Sequence, residues 1–297
     1  MLRRHPLAFF FALAYGLSWA AWAPLVLAEW GTLPVRPTPY LHLLGSLGPA
    51  AAAFATARAF GGRAALRDLA GRLLRWRVPL VWHGVAWLAP LALFFVSVVV
   101  AWLVWGQSWD AAAFGRSAEY PGMPLLVYWA VSVLFYGYGE ETGWRGFALP
   151  HLQAGRSALA ATLLLSLGWA LWHVPLFVFS PGLSQMDAAG VAGWLFSIVT
   201  GAILFTWLFN GTQGSVLVAA VFHGTMDVVF LSPEPPSVAG VLGALVTVWG
   251  LAVLVLRGPR CLARAGKMVA AYGGPPGIGR PGLKLVPCGR GRQAGAL

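Results

Sequence analysis

Charge is what this 297-residue chain has least of. Asp, Glu, Lys and Arg together make up 10% of it, against about 25% in a typical soluble domain. Hydrophobic residues make up 59% and aromatic residues 13%, which excludes ordinary soluble usage. Acid is the scarcer sign, with 9 Asp and Glu against 20 Lys and Arg and a net charge of +11. Cysteine occurs only at Cys261 and Cys288, both near the C-terminus. Neither a disulfide framework nor a Cys-based zinc site is therefore expected. No internal repeat of fixed period is visible. Only two of the basic residues are Lys, and with abundant Ala and Gly this usage points to a GC-rich bacterial gene.

What the chain has instead is long apolar runs. Crossing a bilayer takes about 20 residues, and eight runs approach or exceed that length: about 6–28, 40–60, 80–105, 125–150, 157–179, 191–210, 214–231 and 237–257. The fold class expected is all-α, a polytopic transmembrane bundle of about eight spans, multi-pass in a cell inner membrane. The first run follows Arg3 and Arg4 as a signal peptide would, but it exceeds a signal h-region in length and is read as a span. Charge placement gives an independent reading. Arg63, Arg67, Arg72, Arg75 and Arg77 crowd one connection, and the segment after the last span carries Arg and Lys with no acid. Glu29, Asp110, Glu119, Asp187 and Glu234 lie in the alternate loops. The positive-inside rule then makes both termini cytoplasmic, as an even number of spans requires.

Residues 1–257 form the expected bundle and 258–297 a basic cytoplasmic tail, rich in Gly, Pro and Arg and read as a flexible extension. The segment "GGRAALRDLAGRLLRWRVP" is read as a short basic amphipathic helix on the membrane surface. The positive charge follows from topology and attraction to anionic headgroups, so membrane lipids are expected partners and nucleic acid is not.

Ionisable residues inside the runs are few. His42, Arg58 and His83 fall near run ends and are read as snorkelling or interfacial. Glu140, Glu141, Arg145, His173, His223 and Asp227 concentrate in the fourth, fifth and seventh runs. Charges inside a membrane must pair or face a polar cavity, and one cavity shared by three helices would serve all six. Glu141 and Arg145 are spaced i,i+4 and can neutralise each other. Glu140 is rotated from Glu141 by about 100° and is free to face a cavity. His223 and Asp227 are also i,i+4. Pro175 interrupts helical bonding just after His173. Glycines 137, 139, 143 and 146 permit close helix approach.

Those residues stand in three stretches, "EETGWR" (140–145), "WALWH" (169–173) and "HGTMD" (223–227). They resemble the three motifs, EExxxR, FxxxH and HxxxN or HxxxD, of the CAAX protease and bacteriocin-processing family, also called Abi. The similarity covers about 125–231. One position departs: Trp169 stands where the family usually has Phe, an exchange expected to alter packing rather than chemistry.

The resemblance implies an intramembrane endopeptidase acting on a peptide or membrane-protein substrate. It implies that Glu140 and His173 activate water and that His223 and Asp227 stabilise the oxyanion, with Glu141 and Arg145 supporting the site. An ionised Asp227 cannot donate to an oxyanion, so its expected role is to orient the His223 ring. The family has been described both as glutamate-dependent and as metal-dependent. A metal-free site is the reading preferred here; the alternative is zinc held by Glu140, His173 and His223. Two other functions compete with proteolysis. One is an inactive scaffold or immunity protein, and the other is a proton-coupled transporter, against which no Gly/Pro-broken spans recur in matching halves.

Overall fold

The computed structural model describes residues 5–271 and 282–288. It is a helical membrane bundle, and its boundaries follow local chemistry. Helix α1 (Pro6–Glu29) starts at a proline, which lacks only an N–H that would be unpaired there anyway. Helices α2 (Tyr40–Ser46) and α3 (Gly48–Leu73) share the second apolar run. Within α3, Gly62 leaves helical geometry at φ 65°, and beyond it Arg63 and Arg67 are exposed while Ala65 and Leu69 are buried. Arg72, in the same basic segment, is instead buried and bonds the Gly146 carbonyl. Helix α4 (Leu80–Trp105) ends at Gly106 in the left-handed region.

The fourth run, 125–153, is one continuous helical path of changing pitch. α5 (Leu125–Val131) passes into a π-helical turn (Ser132–Gly137), then α6 (Tyr138–Gly143), a second π-helical turn (Trp144–Ala148) and α7 (Leu149–Gln153). π turns inside helices are frequent at functional sites, and this pair brackets Glu140 and Glu141. Next come α8 (Ala158–Trp172), a single turn α9 (Leu176–Phe179), α10 (Ala188–Gly211), α11 (Val216–Leu231) and α12 (Pro236–Arg257). Ser157, Asp187 and Ser215 cap α8, α10 and α11 through their side-chain oxygens.

The eight runs thus all appear as helical segments. Four of them, α1, α4, α10 and α12, are long and apolar enough to cross a membrane as single helices, whereas α8 and α11 are apolar but shorter. The path over 40–73 is divided between α2 and α3, and that over 125–153 by changes of pitch. Segment 139–150 and most of α11 lie inside the bundle: every residue from Gly139 to Pro150 is buried. Helices pack on it at bare backbone. A Cβ on Gly137 would meet the Ala220 carbonyl of α11, and one on Gly139 the Ser46 carbonyl of α2.

The expected flexible tail is described over 258–271 and 282–288, and those residues are folded. Strands β1 (Lys267–Ala270) and β2 (Leu283–Val286) pair antiparallel, and Cys261 is disulfide-bonded to Cys288. These described residues are folded where a flexible extension without a disulfide framework was expected. Polar groups at the helix ends explain the docking. Gln153 donates to the Met268 carbonyl at 2.8 Å, and Asn210 to the Cys261 carbonyl at 3.0 Å. The unpaired N–H groups of Ala158 and Leu159, in the first turn of α8, bond to the carbonyls of Arg260 and Pro259. The remaining tail residues lie outside the described residues.

Candidate active site

α6, the π-helical turn after it and α11 bring Glu140, Glu141, Arg145, His223 and Asp227 into one cluster. Glu141 is its hub. One carboxylate oxygen of Glu141 accepts from Arg145 Nη1 and from His223 Nδ1, each at 2.8 Å, with Glu141 and Arg145 fully buried. Arg145 is further held between two rings, 4.3 Å from the centroids of Trp169 and Phe205, a favourable placement for a desolvated guanidinium.

Glu140 faces a different set of partners, as its rotation from Glu141 requires. Its Oε2 accepts from the Trp169 indole at 2.7 Å, and its Oε1 lies 4.0 Å from His223 Nε2. The Trp169 contact adds a polar bond to the expected change of packing, because a Phe ring has no donor for this carboxylate. Trp169 thus binds Glu140 through its edge and Arg145 through its face.

Asp227, expected to orient the His223 ring, lies farther from it than Glu141 does. It is 3.7 Å from His223 Nε2, beyond hydrogen-bond reach, and the ring is oriented by Glu141 on its other nitrogen. Spacing i,i+4 set Asp227 near the histidine, but the shorter bond goes across helices. The Asp227 side chain is 21% exposed, against 5% for Glu140 and 0% for Glu141, so it is the carboxyl group bordering open space. Three carboxyl groups therefore surround one imidazole, with Arg145 as the compensating cation.

His173 stands at the C-terminal end of α8, where Pro175 begins a new turn. Its Nδ1 bonds to the Trp169 carbonyl at 2.7 Å. A carbonyl only accepts, so Nδ1 carries the proton and Nε2 of the neutral ring keeps a lone pair. Its ring packs on Trp172 and Trp194; it interacts with His223 through space and makes no hydrogen bond to Glu140. Among the described residues no three His, Cys, Asp or Glu side chains are gathered at metal-ligand spacing. Glu140, His173 and His223 do not form such a set, and no step below is routed through a metal.

His42 has a more interior place than its position near a run end suggests. It is buried on α2, bonds Glu119 at 2.8 Å and lies 3.3 Å from the Tyr136 hydroxyl. It also acts electrostatically on Asp227 and His173. No sequence signal separates it from an interfacial histidine; only the fold supplies Glu119, 77 residues away. His83 does sit as expected at a helix start, bonded to the Trp76 carbonyl, and Arg58 is exposed.

Comparison with known proteins follows the same residues. Residues 122–229 match the family described as type II CAAX prenyl endopeptidase Rce1-like. The protein "CAAX prenyl protease 2" of Methanococcus maripaludis is 39% identical over 54 residues, a match spanning 18% of this chain and 18% of that relative. Every clustered side chain described above except His42, Glu119 and the tail contacts comes from that matched stretch. Over residues 122–229, about a third of the chain, the sequence is therefore similar to the Rce1-like CAAX prenyl endopeptidases.

Proposed function

We propose that this protein is an intramembrane endopeptidase of an inner membrane, hydrolysing a peptide bond of a peptide or membrane-protein substrate. The observation that carries the reading is a buried Glu140, held by an indole donor, facing the free edge of His223 across 4.0 Å. Glu140 is the general base. It takes a proton from water as the water oxygen bonds to the scissile carbonyl carbon, and then gives that proton to the leaving amine as the C–N bond breaks. His173, with its proton committed to the Trp169 carbonyl, offers Nε2 as an acceptor that orients the same water. His223, protonated beside Glu141 and Asp227, donates from Nε2 to the oxyanion. Asp227 supports the positive charge on that ring rather than its orientation. Arg145 and Glu141 keep His223 in place and balance the cluster.

The family and relative are named for CAAX prenyl substrates, so the test includes that class. Purified protein in detergent is given a farnesylated CAAX peptide, its unmodified counterpart and a membrane-segment peptide library. Cleavage of at least one substrate that is lost in Glu140→Gln is expected. No cleavage by the wild-type protein across all three, with the fold intact, supports the scaffold reading instead. Metal independence is proposed as well: exhaustive dialysis against a strong chelator leaves the rate unchanged. Loss of activity restored by zinc would overturn that part.

A further inference from the structure

Hydrolysis consumes one water per turnover, and a site walled by apolar helices must receive it through the protein. Tyr128, Ser132, Tyr136 and Glu140 are spaced by four along path 125–153, and all four are buried. Residues four apart on an α-helix drift about 40° per step, since each turns 100°. The π-helical turn over Ser132–Gly137 winds more loosely and rotates the stripe back, so the polar groups keep to one line. Beyond Glu140 the same spacing gives Trp144, Ala148 and Leu152, all buried, with the Trp144 indole N–H the one polar side-chain group among them. The stripe is polar on one side of the carboxylate and closed on the other.

Its walls and its mouth are also polar. One oxygen of Asp227 is buried without a hydrogen-bond partner, and the buried hydroxyls of Tyr128 and Ser132 interact with each other, with Ser117 beside Tyr128. Asp227, on α11, interacts through space with both Tyr128 and His42. Tyr136 reaches His42 at 3.3 Å and Tyr120 at 2.9 Å, and His42 reaches Glu119 at 2.8 Å. Glu119 in turn lines a cavity of about 520 Å³ at the end of the bundle, with Pro39, Tyr40, Tyr120, Met123 and Val127. Unpaired buried polar atoms are costly in an apolar medium, and water satisfies them where several converge.

We propose that this stripe is a blind-ended water passage, running from the Glu119 cavity along Tyr128, Ser132 and Tyr136, beside Asp227, to Glu140. Its purpose rests on the hydrolase reading, but its existence does not. The blind end also distinguishes it from a transport pathway, which must open on both sides.

The test compares two buried positions on the same path. Ser132→Cys and Ala148→Cys are made in the full chain in detergent and treated with a small hydrophilic methanethiosulfonate, with modification at each position read by mass spectrometry. Thiol reactivity follows access, so Ser132→Cys is expected to react at least about tenfold faster than Ala148→Cys. Adding Glu119→Trp at the mouth slows Ser132→Cys alone; Tyr40→Trp is a second plug should Glu119→Trp lower the melting temperature. Equal rates at the two cysteines, or plugs without effect, overturn the passage. Fast, pluggable labelling in a protein that cuts no peptide upholds the passage and removes the protease reading. With cleavage present, the plugs lower kcat and leave KM unchanged.

Discussion

Helix α4 and the segment 139–150 lie in the same bundle and follow opposite rules. α4 contains no acid, and it turns Leu88, Trp102 and Leu103 outward, 60–67% exposed. Segment 139–150 holds two carboxylates and a guanidinium and exposes nothing. In water the arrangement would be inverted. Lipid tails are as apolar as leucine, so burying more leucine adds no solvent-driven gain. What selects the packed state is close backbone approach at glycine and the polar pairing that has nowhere else to go. The proposed general base and the tightest packing therefore share one stretch of about twelve residues, and α4 is constrained by little more than length and hydropathy.

The strongest way to sharpen that contrast lies inside segment 139–150. Glu140→Gln is expected to lower the cleavage rate by about 10²–10⁴-fold, the usual range for a general base, with little change in the melting temperature in detergent. Its neighbour has the reverse profile. Glu141→Gln leaves Arg145 and His223 without their shared anion, and breaking a buried pair costs about 3–5 kcal/mol. Thermal unfolding and cleavage measured on both variants separate the two roles. Equal stability losses would erase the distinction between a reacting carboxylate and a structural one.

The contrast also sets how much could be read from the sequence. The eight helical segments were legible because lipid demands long apolar runs, and the Glu141–Arg145 pair because it lies within one helix at i,i+4. Partners on different helices were not. Glu141 reaches His223 across 82 residues and Trp169 reaches Glu140 across 29. Both depend on helix rotation, which the π turns at 132–137 and 144–148 reset without a sequence signal. Spacing along α11 likewise says nothing of Glu141, which reaches the His223 ring from α6. The tail hairpin was hidden by composition: Gly and Pro read as disorder, while the docking groups Gln153 and Asn210 lie in the bundle.

A smaller effect is expected at Trp169. Trp169→Phe removes the indole donor and keeps an aromatic face for Arg145. A hydrogen bond to a charged group contributes about 1.5–3 kcal/mol, so the cleavage rate should fall by about ten- to a hundredfold while the melting temperature changes little. An unchanged rate would mean that the bond seen at 2.7 Å is idle and that the exchange for Phe concerns packing alone.

The smallest expected effect returns to α4. Leu103 is 67% exposed and Leu204, on α10, is 0% exposed. Leu204→Ala leaves a void among fixed neighbours, which costs about 2–5 kcal/mol in folded interiors. Leu103→Ala removes a side chain that lipid or detergent surrounds both before and after packing, so its effect should stay within about 0.5 kcal/mol. Reversible unfolding of the two variants in the same micelle makes the comparison direct. A cost at Leu103 approaching that at Leu204 would show that the outward face of α4 is covered by protein rather than by lipid. The polar interior would then be only part of what holds the bundle together.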